Sequence, residues 1–157
     1  MKKINKILVI ILALTMMLAL TACGGNDKNS GGDSASKMTT VSGDKVTAEL
    51  PSGWILVTGT DMIESDTADF ICHTEKFKYG DPYLQVEEIQ NLKDAQTLLE
   101  SGNPYGTYAG IKELTNGTWY LAENAAVSQI GEKVLLVKGY QCDFGSDDVQ
   151  GILGSLQ

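Results

Sequence analysis

The sequence contains no arginine, and its twelve lysines stand against twenty aspartates and glutamates, for a net charge of −8. Proteins that bind nucleic acids normally present a basic surface and often use arginine side chains to hold phosphates or bases. The charge balance therefore argues against nucleic acid as a partner, and against binding of anionic lipid headgroups by the domain itself. An acid excess of this kind favours solubility beside a negatively charged surface.

Histidine is nearly absent as well, since His73 is the only one in the chain. A Cys/His zinc site or a hydrolytic Ser-His-Asp or Cys-His site would have to use it. Cys72 precedes it directly, and neighbours in a strand point to opposite faces of the sheet, so the two are not expected to work together. The G-x-S-x-G elbow, the Walker loop and the G-x-G-x-x-G motif are missing too. These absences predict a protein that is not an enzyme and holds no cofactor and no metal.

Acidic residues are also missing from the first 23 positions, which begin with Lys2, Lys3 and Lys6. An apolar run follows at 7–20, broken only by Thr15. A transmembrane helix needs about 20 apolar residues, so this run is short for one. Its length and its basic start are typical of a signal peptide.

The apolar run ends in Leu20-Thr21-Ala22-Cys23, which resembles the bacterial lipobox. The resemblance implies that the Cys23 thiol receives diacylglycerol and that cleavage leaves Cys23 as the first residue of the mature chain. The alternatives are a free cysteine behind an ordinary signal peptide or a short anchor helix. Two or three acyl chains hold a protein firmly to a bilayer. The expected location is therefore the extracytoplasmic face of the cell membrane, anchored by lipid and not spanning it.

Composition divides the chain into three segments. Residues 1–22 form the predicted signal peptide, and residues 23–40 form the lipidated cysteine with a flexible linker. The linker is rich in Gly, Ser, Asn and Asp and cannot bury a core. Residues 41–157 have the length and the apolar content of one globular domain. Without the three lysines of the signal peptide, the mature chain carries nine lysines against twenty acids, a net charge of about −11.

Cys72 and Cys142 are the two cysteines that remain after Cys23. Exported proteins can form disulfides. A bridge between these two would close a loop of about 70 residues and could stabilise the fold by roughly 4 kcal/mol. The alternative is two buried free thiols in an organism that rarely oxidises its exported proteins, and both readings stay open.

Hydrophobic periodicity in the domain predicts an antiparallel sheet with helices packed on it, which is an α+β fold. Asn91 is the expected N-cap and Gly102 the expected end of one helix, and Ser146 the N-cap of a second. Asn116-Gly117 is the strongest hairpin signal, because both residues tolerate positive φ. Strands are expected around residues 46–50, 54–57, 70–73, 84–87 and 111–115, in one long stretch from 118 to the turn at 131, and in the central strand 134–137.

Two short motifs carry a resemblance to a known family. Leu50-Pro51-Ser52-Gly53-Trp54 resembles the L-P-x-G-W turn of PsbP-like domains, and the stretch 152–156, ILGSL, resembles their I-L-x-S-L final helix. The resemblance covers about residues 46–157 and implies an α/β/α sandwich around an antiparallel sheet. Known members include extrinsic proteins of photosystem II and many bacterial lipoproteins. Most are non-catalytic and dock on other proteins or assist the assembly of larger complexes.

Aromatic residues supply the candidate binding site. Tyr105 and Tyr108 flank glycines in a predicted loop, where exposed rings could stack on a sugar or fill a pocket of a partner. The alternative is that they cover the helix end and the sheet edge. Trp54 and Trp119 are expected in the core.

Four acids, Asp61, Glu64, Asp66 and Asp69, lie in one predicted loop. Their oxygens could hold calcium, but the EF-hand spacing and its glycine are missing, and carboxylates gather in solvated loops anyway. A metal site is therefore not predicted.

Taken together, these features predict a lipid-anchored extracytoplasmic lipoprotein that acts as a non-catalytic binding or accessory module for another envelope protein. The alternative is a receptor for a small ligand or a cell-wall glycan, which would use the sheet face or the loop around Tyr105. A hydrolase that depends on His73 ranks third.

Overall fold

The computed structural model describes residues 38–58, 68–76, 78 and 80–157. Nine strands and two helices lie in this part of the chain. In chain order they are β1 (Thr39–Ser42), β2 (Thr47–Leu50), β3 (Ile55–Thr58), β4 (Ala68–Cys72), β5 (Tyr83–Ile89), α1 (Leu92–Ser101), β6 (Tyr108–Leu114), β7 (Gly117–Ala122), β8 (Ala125–Ile130), β9 (Lys133–Tyr140) and α2 (Asp147–Ser155).

Seven of the strands form one sheet in the order β3-β4-β5-β9-β8-β7-β6, and every neighbouring pair is antiparallel. Strands β1 and β2 form a separate antiparallel pair. The predicted α+β class, with helices packed on an antiparallel sheet, is confirmed. Strand β9 lies in the middle of the sheet, and its four residues 134–137 are all buried, as expected for a strand covered on both faces.

The two faces of the sheet are covered differently. On one face, helix α2 and the β1–β2 pair pack against the sheet around the fully buried Trp119 and form the large core. On the other face, helix α1 packs its buried Ala95 and Leu99 against β7, β8 and β9 and forms the small core. A third cluster of buried side chains, Ala68, Phe70 and Cys72, lies on β4.

Capping residues set the limits of both helices. The Asn91 side chain accepts hydrogen bonds from two backbone N–H groups at the start of α1, and Gly102 ends the helix in the left-handed conformation. The Ser146 side chain accepts from the N–H of Val149 at the start of α2. All three predicted caps are confirmed.

Two features of the sheet differ from the prediction. The stretch expected to form one long strand from 118 to 131 is split into β7 and β8 by a tight turn at Glu123-Asn124. Asn124 favours turns but is not followed by the glycine of the common Asn-Gly hairpin turn, and Ala122 and Ala125 on either side are fully buried. In addition, β1 begins at Thr39, inside the stretch expected to be linker. Within the described residues, no helix is long and apolar enough to cross a membrane.

Candidate functional site

A large open cleft of about 840 Å³ lies between two strands that belong to different sheets. Its walls are β1 on one side and β3 on the other, and the turn Pro51–Trp54 closes one end together with Glu75. Volumes of this size are typical of binding clefts. The cleft is therefore a candidate binding site in the part of the chain that the structure describes.

The end of the cleft is formed by a turn that presents Trp54. The N–H of Trp54 donates to the Pro51 carbonyl at 3.1 Å, and Gly53 between them has a φ of 91°, which a glycine adopts without steric cost. Trp54 is half-buried and lines the cleft, although its inner side packs against the large core. The expectation that Trp54 is a core residue is therefore only partly right, whereas Trp119 is fully buried.

His73 holds this tryptophan in place. Its Nδ1 donates to the Gly53 carbonyl at 2.8 Å, and its ring lies 4.1 Å from the Trp54 ring, centroid to centroid. Because a carbonyl oxygen can only accept, Nδ1 carries the proton in this bond. The single histidine therefore positions the rim of the cleft and is not paired with Cys72, whose thiol donates to the Thr74 carbonyl.

The opposite wall depends on a buried carboxylate. Asp69 on β4 is fully buried, and its two oxygens accept hydrogen bonds from the backbone N–H groups of Asp44, Lys45 and Val46 at 3.1, 2.8 and 3.0 Å. These three donors form the loop that joins β1 to β2. A Cβ on Gly43, beside them, would collide with the Asp69 carboxylate. Asp69 thus anchors the β1–β2 pair, and with it one wall of the cleft, to the main sheet.

The predicted acidic cluster is only partly described. Asp61, Glu64 and Asp66 lie outside the described residues. Asp69 uses its carboxylate oxygens for the three backbone donors, which is a structural task. Among the described residues, no group of three or more metal-ligating side chains comes together.

The two predicted aromatic residues, Tyr105 and Tyr108, lie between α1 and the start of β6. Both are half-buried and pack against the small core, next to the end of α1. They do not line the cleft. This placement favours the alternative stated above, in which the rings cover the helix end and the sheet edge.

The cysteines are not joined. Cys72 and Cys142 are both free thiols, and they pack on opposite faces of the sheet. Each thiol donates to backbone carbonyls near it, Cys72 to Thr74 and Cys142 to Tyr83 and Tyr140. The structure thus holds two separate thiols, of which Cys72 is buried and Cys142 half-buried. Cys23, the predicted lipidation site, lies outside the described residues.

Burial makes these thiols poor nucleophiles. It raises the pKa of the Cys142 thiol from 9.0 to about 11, and raises the pKa of Cys72 as well. Because the thiolate is the reactive form, we expect iodoacetamide at pH 8 to modify Cys142 about 100-fold more slowly in the folded than in the unfolded protein. Alkylation rates of the two states, read by mass spectrometry of the peptide that contains Cys142, check this expectation.

The same shift affects stability at high pH. The folded state keeps the Cys142 proton up to about pH 11, whereas the unfolded state loses it near pH 9. The unfolded state therefore binds fewer protons in this window, and the free energy of unfolding should fall as the pH rises from 9 to 11. Cys142→Ala should show a shallower decline over the same window, and parallel curves for the two proteins would contradict the assignment.

Comparison of the whole chain with known proteins finds no matching family model, no matching curated protein and no matching solved structure. The function is therefore argued from the geometry of the cleft.

Proposed function

We propose that the protein is a lipid-anchored, extracytoplasmic binding module that docks on another protein of the cell envelope through the cleft between β1 and β3. The observation that carries this proposal is the cleft itself, which is open, lined by apolar and polar atoms in similar measure, and rimmed by a tryptophan. Tryptophan is enriched among the residues that dominate protein–protein affinity. The resemblance to the PsbP-like family, whose known members mostly dock on other proteins, supports the same conclusion.

A non-catalytic role fits the chemistry of the cleft. The titratable residue in the lining of the cleft is Glu75. The nearby His73 ring already uses its Nδ1–H group to donate a hydrogen bond to the Gly53 carbonyl. General acid–base catalysis needs a group within hydrogen-bond reach of the substrate and usually a partner that orients it. The described residues of the cleft offer apolar surface and backbone groups in place of such a pair, and these suit binding.

The lipid anchor is inferred from the sequence, because residues 20–23 resemble a lipobox that ends at Cys23. A Cys23→Ser variant should keep its signal peptide, because the lipoprotein peptidase acts only after the thiol has received its lipid. Intact mass and labelling with a radioactive fatty acid check both steps. A Cys23→Ser variant that still matures at position 23 would show that the lipobox assignment is wrong. Cys72→Ser is the matched control and should mature normally.

Cross-linking on intact cells tests the docking. A lysine-reactive cross-linker followed by mass spectrometry should give one abundant partner, and the links should come mainly from Lys76 and Lys78, which follow Glu75 at the cleft. Lys93, exposed on helix α1, serves as the internal control. Links spread evenly over the three lysines, or only background links, would contradict docking at the cleft.

The receptor alternative makes a different prediction. A ligand that binds only the folded state raises its stability by RT ln(1 + [L]/Kd). Soluble cell-wall glycan fragments should therefore raise the Tm if the cleft is a glycan receptor, and should leave it unchanged if the cleft takes a protein.

A further inference from the structure

The two outer strands of the seven-stranded sheet are protected to different degrees. Unpaired strand edges invite pairing with other chains, and proteins commonly block them with charges, prolines or bulges. Strand β6 has two of these protective features: the charged residues Lys112 and Glu113, and a register shift after Tyr108. Strand β3, with the sequence ILVT, has no charge and no proline, and it pairs with β4 without a register shift. The edge that lines the cleft is therefore the unprotected one.

Hydrogen-bond alternation shows which groups β3 presents to the cleft. In an antiparallel sheet, successive residues turn their N–H and C=O groups to opposite neighbours. The N–H of Gly139 on β9 donates to the Asn124 carbonyl beside β8, so odd-numbered residues of β9 face β8 and even-numbered ones face β5. The pairing from β9 through β5 and β4 to β3 has no register shift, so the same alternation of hydrogen-bonding direction applies to each of these strands. Ile55 and Val57 therefore bond to β4.

The remaining backbone groups of β3 point outward. Leu56 and Thr58 each turn one N–H and one C=O away from β4, and within the described residues no strand pairs with that side. A neighbouring strand could form up to four hydrogen bonds with these two residues, over a length of about 13 Å. Such main-chain bonding is the mode by which several protein modules bind extended peptides.

The charge of the whole chain indicates what kind of strand fits. Twenty aspartates and glutamates stand against twelve lysines and no arginine, a net charge of −8. At the cleft itself, Glu75 is the acidic residue of the lining. An approaching strand with basic side chains is therefore attracted, and a second copy of this strongly acidic chain is repelled.

We propose that the cleft takes an extended segment of a partner protein, in which apolar residues alternate with lysine or arginine, and that this segment pairs with β3 as an added strand. The proposal rests on the proposed function and specifies the partner's chemistry. Alternate side chains of a strand point to opposite sides. The apolar ones would lie against Trp54 and Leu56 in the cleft, and the basic ones would face Glu75 or solvent.

The test uses the full lipidated protein in detergent and a phage-displayed library of random dodecapeptides as the probe. We expect enrichment of peptides in which apolar residues alternate with Lys or Arg. Binding of a synthetic copy should weaken by about tenfold or more in Thr58→Pro, which removes an outward N–H and leaves the bonds to β4 intact. Glu113→Pro is the matched control, because the same alternation turns its N–H outward on β6, and it should bind normally.

Peptides methylated on alternate backbone nitrogens test the mode without altering the protein. A strand added to one edge donates through every second N–H, so one methylation pattern should weaken binding at least tenfold and the other should not. Equal effects of both patterns, or no enrichment of peptides at all, would overturn strand addition. A dimer of the free protein that Thr58→Pro dissolves would also overturn it, in favour of a second copy on β3. If strand addition fails while the cross-links from Lys76 persist, the proposed docking function stands alone.

Discussion

Asp69→Ala should lower the free energy of unfolding by about 3–5 kcal/mol, a large share of the 5–15 kcal/mol typical of a domain. The Asp69 carboxylate is fully buried and accepts from three backbone N–H groups in the loop between β1 and β2. Without it three hydrogen bonds to a charged group are lost, each contributing about 1.5–3 kcal/mol, and the loss is partly offset because water can reach the N–H groups of Asp44 and Lys45. Since no side chain replaces it, the loop should also detach from the sheet.

Chemical denaturation of the chain that begins at Gly24 measures this loss. Asp44→Ala is the matched control, because it removes an exposed carboxylate from the same loop while its backbone N–H still bonds to Asp69. We expect the control to change stability by less than about 0.5 kcal/mol. If the two variants were equally stable, Asp69 would not be the anchor of the β1–β2 pair.

Trp54→Ala should weaken binding of the partner by about 30-fold or more, the loss expected when a hot-spot tryptophan of an interface is truncated. Trp54 lines the cleft and contacts the His73 ring, which is tilted by 44° to the indole plane. It presents a large apolar surface that needs little ordering on binding. The measurement is the Kd for the partner identified by cross-linking, or for the peptides selected from the library.

The control for Trp54 is an exposed apolar residue elsewhere. Leu98 on helix α1 is 48% exposed and lies on the opposite face from the large core, so Leu98→Ala should bind normally. Trp54 also packs partly on the large core, so the Tm of each variant has to be measured beside the affinity. Normal binding by a folded Trp54→Ala protein would show that the cleft is not the docking surface.

Local signals in the sequence were sufficient to predict where the two helices begin or end and where the central strand lies. Asn91, Gly102 and Ser146 act within one turn of their own position, so their chemistry can be recognised without knowing the rest of the fold. The unbroken apolar run at 134–137 also required a strand with both faces covered, and β9 occupies that place.

The predicted hairpin is present, but its two-residue turn is Thr115-Asn116, one residue before the predicted Asn116-Gly117, and Gly117 begins β7. Gly117 has a positive φ of 141°, whereas Asn116 does not adopt positive φ. The Asn116 side chain instead donates to the carbonyls of Leu153 and Leu156 and accepts from Trp119 Nε1. It therefore ties the hairpin to the end of helix α2. These partners lie up to 40 residues away, so a local turn rule could not indicate them.

The cleft could not be predicted, because its walls come from separate parts of the chain. The tyrosines at 105 and 108 drew attention as aromatic residues beside glycines, yet they pack on the small core. A stronger indication of the cleft was the uncharged stretch WILVT, which directly follows the Pro51–Gly53 turn and forms one wall. It has the composition of a buried strand, and only the strand order shows that β3 is an edge.

A photo-reactive amino acid placed at single positions on intact cells tests the central claim most directly. At Thr58, on the edge of β3 that faces the cleft, it should give one strong cross-linked species with another envelope protein. At Ile111, which is 61% exposed on the opposite edge strand β6, it should give little or none. The same yield at both positions, or a strong product only at Ile111, would contradict docking through the cleft between β1 and β3.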